Sequence, residues 1–138
     1  MHKYNIDCYV TGSVSMNHAW NIIRLNNRYY HVDCTWDDPI YINGVKSDAY
    51  GQVQHTYFLK SDSGFKNHSG WDRTDLACSS TKYDNYYWKS ISSPIVIKGS
   101  YAYYIEYNTQ SNKNLLIKRI SHCSSKHHHN PNTVYPSF

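Results

Sequence analysis

The chain has 138 residues and a net charge of +4 at neutral pH, with 14 Lys and Arg against 10 Asp and Glu. A charge this small, scattered without a basic stripe, argues against a nucleic-acid surface and against full disorder, and no apolar run reaches the length of a membrane span. One domain is the default at this length; 5 Leu, 11 Ile, 7 Val and 3 Phe are a thin core supply, which 15 Tyr and 4 Trp extend.

In chain order, the first β-type run lies near Asp7–Val10. Two more, Ala19–Leu25 and Arg28–Thr35, flank Asn26-Asn27. Asparagine tolerates positive φ, so this pair suits a two-residue type I′ hairpin. If Leu25 pairs with Arg28 across that turn, Asp33 falls opposite Trp20 and Thr35 opposite His18. Side chains alternate along a strand, so His18, Trp20, Asp33 and Thr35 share one face. Asp33 then sits on the diagonal from His18 at roughly 7 Å between Cβ atoms, close enough for a carboxylate–imidazole hydrogen bond. Such a carboxylate orients the ring, selects its tautomer and stabilises its protonated form. The opposite face carries Ala19, Ile23, Tyr30 and Val32, which reads as packing.

Pro39–Val53 reads as a loop with a turn at Asn43-Gly44, followed by a strand at Thr56–Lys60. Residues 63–93 are mixed, punctuated by Ser63-Gly64 and Ser69-Gly70, with a helical turn expected at Thr74–Cys78. His68 and Trp71 on this stretch are candidates for lining a cleft, although single loop residues more often pack or face solvent. Residues 94–121 read as a β-meander: Pro94–Lys98, a Gly99-Ser100 turn, Tyr101–Tyr107, a polar turn, and Leu115–Ile120. Residues 122–138 read as a disordered tail. Cys123 with His127, His128 and His129 offers adventitious metal binding rather than an ordered site, because adjacent histidines point apart.

The four cysteines, Cys8, Cys34, Cys78 and Cys123, show no C-x-x-C spacing. Their even number permits disulfides without identifying a pair. Cys8 lies on a strand-like run with no helix dipole to activate it, and Cys34 faces away from Asp33. Both read as small buried hydrophobes. No residue pattern indicates a metal centre or a cofactor.

His18-Ala19-Trp20-Asn21, then Tyr29-Tyr30-His31-Val32-Asp33 and Thr35-Trp36-Asp37-Asp38-Pro39, resembles the core of the transglutaminase-like superfamily, in particular its bacterial, clostridial-type branch. Tyr4–Gly12 and His55–Asp62 are similar to flanking segments of that branch, so the likeness spans roughly residues 1–90. It implies an α+β fold, mostly antiparallel β, of the papain-like type. A cysteine at a helix N-terminus would attack an amide, with His18 as base and Asp33 as its orienting carboxylate. Nothing in the chain matches the family's cysteine helix, which precedes the strand near Ile6. Met1–Asn17 also lacks the pattern of a secretory signal.

The resulting expectation is a shortened transglutaminase-like core at 1–93, a meander resembling one propeller blade at 94–121, and a tail at 122–138. The chain would be inactive alone for want of a nucleophile, with Trp20 exposed where the helix is missing. Its partner would be a protein or peptide amide or a cell-surface component. A non-catalytic binding module of a bacterial surface protein is the alternative.

Overall fold

The structure, a computed structural model, describes residues 5–38 and 53–121. Most of the predicted Pro39–Val53 loop and the tail with Cys123 and its histidines lie outside them. The described residues build two antiparallel sheets and almost no helix. The first sheet has β1 (Cys8–Ser13), β2 (His18–Leu25), β3 (Arg28–Val32) and β4 (Phe58–Lys60), neighbours in that order. The second has β5 (Val96–Lys98), β6 (Tyr101–Asn108) and β7 (Lys113–Ile120). Among the described residues one 3-10 turn, Tyr87–Ser90, falls between the two sheets in chain order.

Leu25 pairs with Arg28 across the Asn26-Asn27 turn, and both asparagines have positive φ, 49° and 64°. A type I′ turn needs that backbone at both central positions. The register continues to Asn21 opposite Val32. β1 joins on the other side, with Thr11 opposite Trp20 and Ser13 opposite His18. β4 pairs through a bulge at His31/Val32, where Leu59 takes a φ of 57°. That conformation is costly for a bulky residue. Here it accompanies burial of Leu59 against Ile23, Tyr30 and Val32.

The alternation of β2 and β3 decides what each face buries. Ile23, Tyr30, Val32 and Leu59 form one cluster, onto which Phe58, Tyr83 and Trp88 pack. Ile22 is fully buried on the opposite face with Leu76 and Cys78. Each such aliphatic side chain contributes about 1.5–3 kcal/mol on removal from water.

Four expectations change. β3 stops at Val32 instead of running to Thr35, because Asp33 turns the chain: its Oδ1 accepts the amides of Thr35 and Trp36 at 2.9 and 3.1 Å. Thr35 is consequently exposed in a turn, not opposite His18. At Thr74–Cys78 a single turn forms, closed by the Leu76 N–H on the Arg73 carbonyl at 3.1 Å, and it goes no further because Cys78 bonds to Asp62 instead: Cys78 N–H to Asp62 Oδ2, 3.0 Å, and Asp62 N–H to the Cys78 carbonyl, 2.8 Å. Cys8 and Cys34 are exposed, and Cys78 is the buried thiol.

The fourth change concerns Trp20, which is 4% exposed rather than open to solvent. The covering element is the excursion from Ser61 to Cys78, an Ω-type loop whose ends the Asp62–Cys78 pair draws together. It brings the rings of Phe65, His68 and Trp71 within 4.9–6.2 Å of the indole. Asp72 fastens it to β1, accepting from Thr11 Oγ1 and the Gly12 amide at 2.8 and 3.1 Å. Asp84 anchors its start by accepting from the Ser61 amide and hydroxyl at 2.8 and 2.6 Å.

Candidate active site

β2 contributes His18 from its first residue, and the turn after β3 contributes Asp33. The His18 Nε2–H donates to Asp33 Oδ2 at 2.6 Å. The two residues therefore meet on the face that alternation assigns them. A third residue joins them: His68, from the covering loop, places its Nε2 at 2.9 Å from the same Asp33 Oδ2. The sequence marks His68 only as one of two residues that could line a cleft.

Asp33 is 1% exposed, and every part of its carboxylate is engaged. Oδ1 is spent on the two backbone amides, which leaves Oδ2 for the histidines. Burial pushes the Asp33 carboxyl up, but the hydrogen bonds from His18, His68 and the Trp36 amide outweigh it and hold the group below the usual carboxylate range. It is a buried anion stabilised by donors from three places in the chain.

His68 faces an acceptor at each nitrogen. Nδ1 lies 3.2 Å from the Lys66 carbonyl and Nε2 lies on Asp33. A neutral imidazole has one N–H, so it donates at only one of these two positions. His18 differs, because its Nδ1 has no hydrogen-bond partner among the described residues. The His18 ring lies between the indoles of Trp20 and Trp36, with centroids at 5.6 and 5.4 Å and planes 30° and 25° apart. Its edge borders an open cleft of ≈ 660 Å³ lined also by Ser13, Ser15, Asn17, Gly70 and Asp72.

Gly70 closes the loop over that cleft with a φ of +65°. A Cβ there would lie 3.2 and 3.3 Å from the Ser15 and Ser13 hydroxyls, so this close crossing suits glycine. On its other side Gly70 lines a second cavity of ≈ 470 Å³ with Asp62, His68, Trp71 and Thr74.

Beneath the site runs a second polar chain. The Trp20 Nε1–H donates to His31 Nδ1 at 3.0 Å, and His31 Nε2 lies 2.9 Å from Asp62 Oδ1. Indole only donates, so His31 carries its proton on Nε2 and directs it toward Asp62. Burial pulls the His31 ring down, against the hydrogen bond and charge of Asp62, which pull it up. His31 stacks on Phe65, centroids 4.4 Å apart, and so helps seat the covering loop.

No cysteine sulfur hydrogen-bonds to His18 among the described residues. Burial pushes the Cys78 thiol up to about 12, with Asp62 adding to the rise, and its Sγ donates to the Leu76 carbonyl. Cys34 is also pushed up, by burial and then by Asp37 and Asp33. Neither is an activated thiolate. Among the described residues, no helix is long and apolar enough to cross a membrane. Compared with protein-family models, curated proteins and solved structures, the chain matches none of them.

Proposed function

We propose that this chain carries the base and the orienting carboxylate of a thiol-dependent amide acyl-transfer site of the transglutaminase-like type, on a partial papain-like core, and that it does not turn over amides by itself. The observation that carries this reading is the His18–Asp33 bond at 2.6 Å, made through Nε2 while Nδ1 has no hydrogen-bond partner among the described residues and His18 lines a cleft. In thiol acyl transfer the base removes the thiol proton and later returns it to the leaving amine. Three features suit His18 to this role. Asp33 selects a ring with its lone pair on Nδ1, two indoles fix the ring plane, and a buried anion stabilises the imidazolium.

On this reading the thiol comes from another polypeptide segment. Cys8 and Cys34 are exposed without a bond to His18, and the Cys78 thiol is buried and bonded elsewhere. The substrate on this reading is a protein or peptide amide.

The test is amine incorporation and amide hydrolysis by the purified chain, with Cys8→Ala and His18→Ala variants alongside. The expected result is no turnover by the chain alone. A supplied cysteine-bearing segment is expected to restore turnover to wild type and not to His18→Ala. Turnover by wild type that disappears in both Cys8→Ala and His18→Ala would make Cys8 the nucleophile. Turnover that survives His18→Ala would remove His18 from the chemistry.

A second reading, a binding module of a bacterial surface protein, is favoured by one observation. The second sheet exposes Val96, Tyr101, Ile105, Tyr107, Leu116 and Ile120. Contiguous apolar surface of this kind marks interaction sites.

A further inference from the structure

Two imidazole nitrogens, of His18 and His68, converge on one carboxylate oxygen of Asp33, and these three atoms lie within 4.8 Å of one another. We propose that they form a binding site for one divalent ion of the zinc class. Such a site is independent of the acyl-transfer reading, since it needs only the geometry of the three side chains.

The orientation of the ligands supports it. A metal-binding histidine usually donates its other N–H to a carbonyl or carboxylate, which fixes the ring and presents a lone pair to the ion. His68 is held in that way, with Nδ1 against the Lys66 carbonyl at 3.2 Å. Without an ion its Nε2 donates to Asp33 Oδ2 at 2.9 Å, so a bound cation takes the place of that proton. Asp33 is prepared likewise: the Thr35 and Trp36 amides occupy Oδ1 and leave Oδ2 toward the histidines.

The dimensions are compatible. Zinc bonds of about 2.0–2.1 Å in a tetrahedron place neighbouring ligand atoms about 3.3 Å apart. The present separations from Asp33 Oδ2 are 2.6 and 2.9 Å, so an opening of about half an ångström admits the ion. Two nitrogens and one oxygen suit zinc-class ions, whereas calcium and magnesium take oxygen ligands. Three protein ligands leave a fourth position for water or a substrate atom. His18 lines one cavity and His68 the other, while Asp33 between them is buried and His18 at 15% exposure gives the solvent side.

The other cluster of potential ligands, His31, Asp62 and Cys78, is different. The indole N–H of Trp20 occupies the His31 lone pair, and Cys78 Sγ donates to a carbonyl. Its donors are committed to the protein. Ion binding at His18 displaces the Nε2 proton, so an occupied site and the His18–Asp33 hydrogen bond exclude each other.

The probe is Co²⁺, followed by its visible absorption, with Zn²⁺ added to displace it. The full chain is titrated as wild type and as a variant with His127, His128 and His129 all changed to Ala, which removes tail chelation. The expected result is one Co²⁺ per chain in both, displaced by Zn²⁺. His68→Ala and His18→Gln are each expected to weaken binding by more than about a hundredfold, beyond what loss of an outer partner costs. Far-ultraviolet circular dichroism verifies folding. Should His68→Ala unfold, His18→Gln decides, its wild-type side chain being 15% exposed at the rim. Binding that vanishes with the tail histidines, or that His18→Gln leaves unchanged, overturns the proposal. The readout is absorbance, so absence of amide turnover bears on the acyl-transfer reading alone.

Discussion

His68 and Asp33 stand 35 residues apart in the chain, and their side chains meet at 2.9 Å on the carboxylate oxygen that His18 also uses. The covering loop is thereby tied to the hairpin that carries His18. Anything that weakens Asp33 loosens both.

Asp33→Asn keeps an acceptor for the Thr35 and Trp36 amides and removes the charge between the two histidines. The expected cost is about 1–3 kcal/mol at pH 7. The folded-state carboxyl lies below its unfolded value. The advantage of wild type is therefore complete above about pH 4 and is lost as pH falls through the folded value. Urea denaturation of both proteins at pH 7 and near pH 2.5 measures it. An advantage that persists undiminished in acid would show that the charge is not its source.

Trp20→Phe deletes the N–H that holds His31 Nδ1 and leaves a small cavity where part of the buried indole was. The predicted loss, hydrogen bond and cavity together, is about 2–3 kcal/mol. In wild type, ring ¹⁵N resonances are expected to show His31 protonated on Nε2, and the variant is expected to show both tautomers. His31 is pulled down in the folded state, chiefly by burial. Its contribution to stability is thus full above about pH 6.5 and falls away as the pH drops through the folded value. An Nδ1-protonated His31 in wild type would contradict the relay.

Asp37 behaves in the opposite sense to Asp33. Burial pushes its carboxyl up to about 6, against the Tyr57 amide, which donates to its Oδ1 at 2.8 Å. A group raised in the folded state binds its proton more tightly there, so stability declines as pH rises from about 4 to about 6. Asp37→Asn retains the acceptor and avoids the charge. It is expected to stabilise the protein by about 1–2 kcal/mol above pH 7 and to change little below pH 4. Thermal melts across that range provide the measurement. A variant less stable than wild type at pH 8 would mean that the ionised form is favoured.

Thiol labelling followed by peptide mapping separates the described cysteines. Cys8 and Cys34 are exposed and are expected to label in the native protein at pH 8. Cys34, pushed up by burial and by Asp37 and Asp33, should react more slowly than an ordinary thiol. Cys78 should label only after denaturation, since it is fully buried and pushed up to about 12. Native labelling of Cys78 would show that the Ω-type loop opens readily.

The hairpin from His18 to Asp33 is legible in the sequence because its information is local. Two asparagines set the turn, alternation assigns the faces, and a register counted from Leu25 and Arg28 brings His18 and Asp33 together. The strand order of the meander follows from similar signals, with Gly99 taking a φ of +61° at its turn. Even the end of β3 has a local cause, since Asp33 caps the two amides that follow it.

The position of His68 has no such signal. The residue is one histidine on a polar stretch, and its burial against Asp33 depends on the loop being closed by Asp62 and Cys78 and fastened by Thr11 and Asp72. Trp20 is covered for the same reason, by Phe65, His68 and Trp71. Alternation tells which face a side chain takes and not what will lie over that face. The cover consists of partners far along the chain, whose hydrogen bonds and ring contacts exist only once the chain has closed. Tertiary packing alone therefore decided that the His18–Asp33 pair is buried, shared with a second histidine, and open to solvent only along the rim.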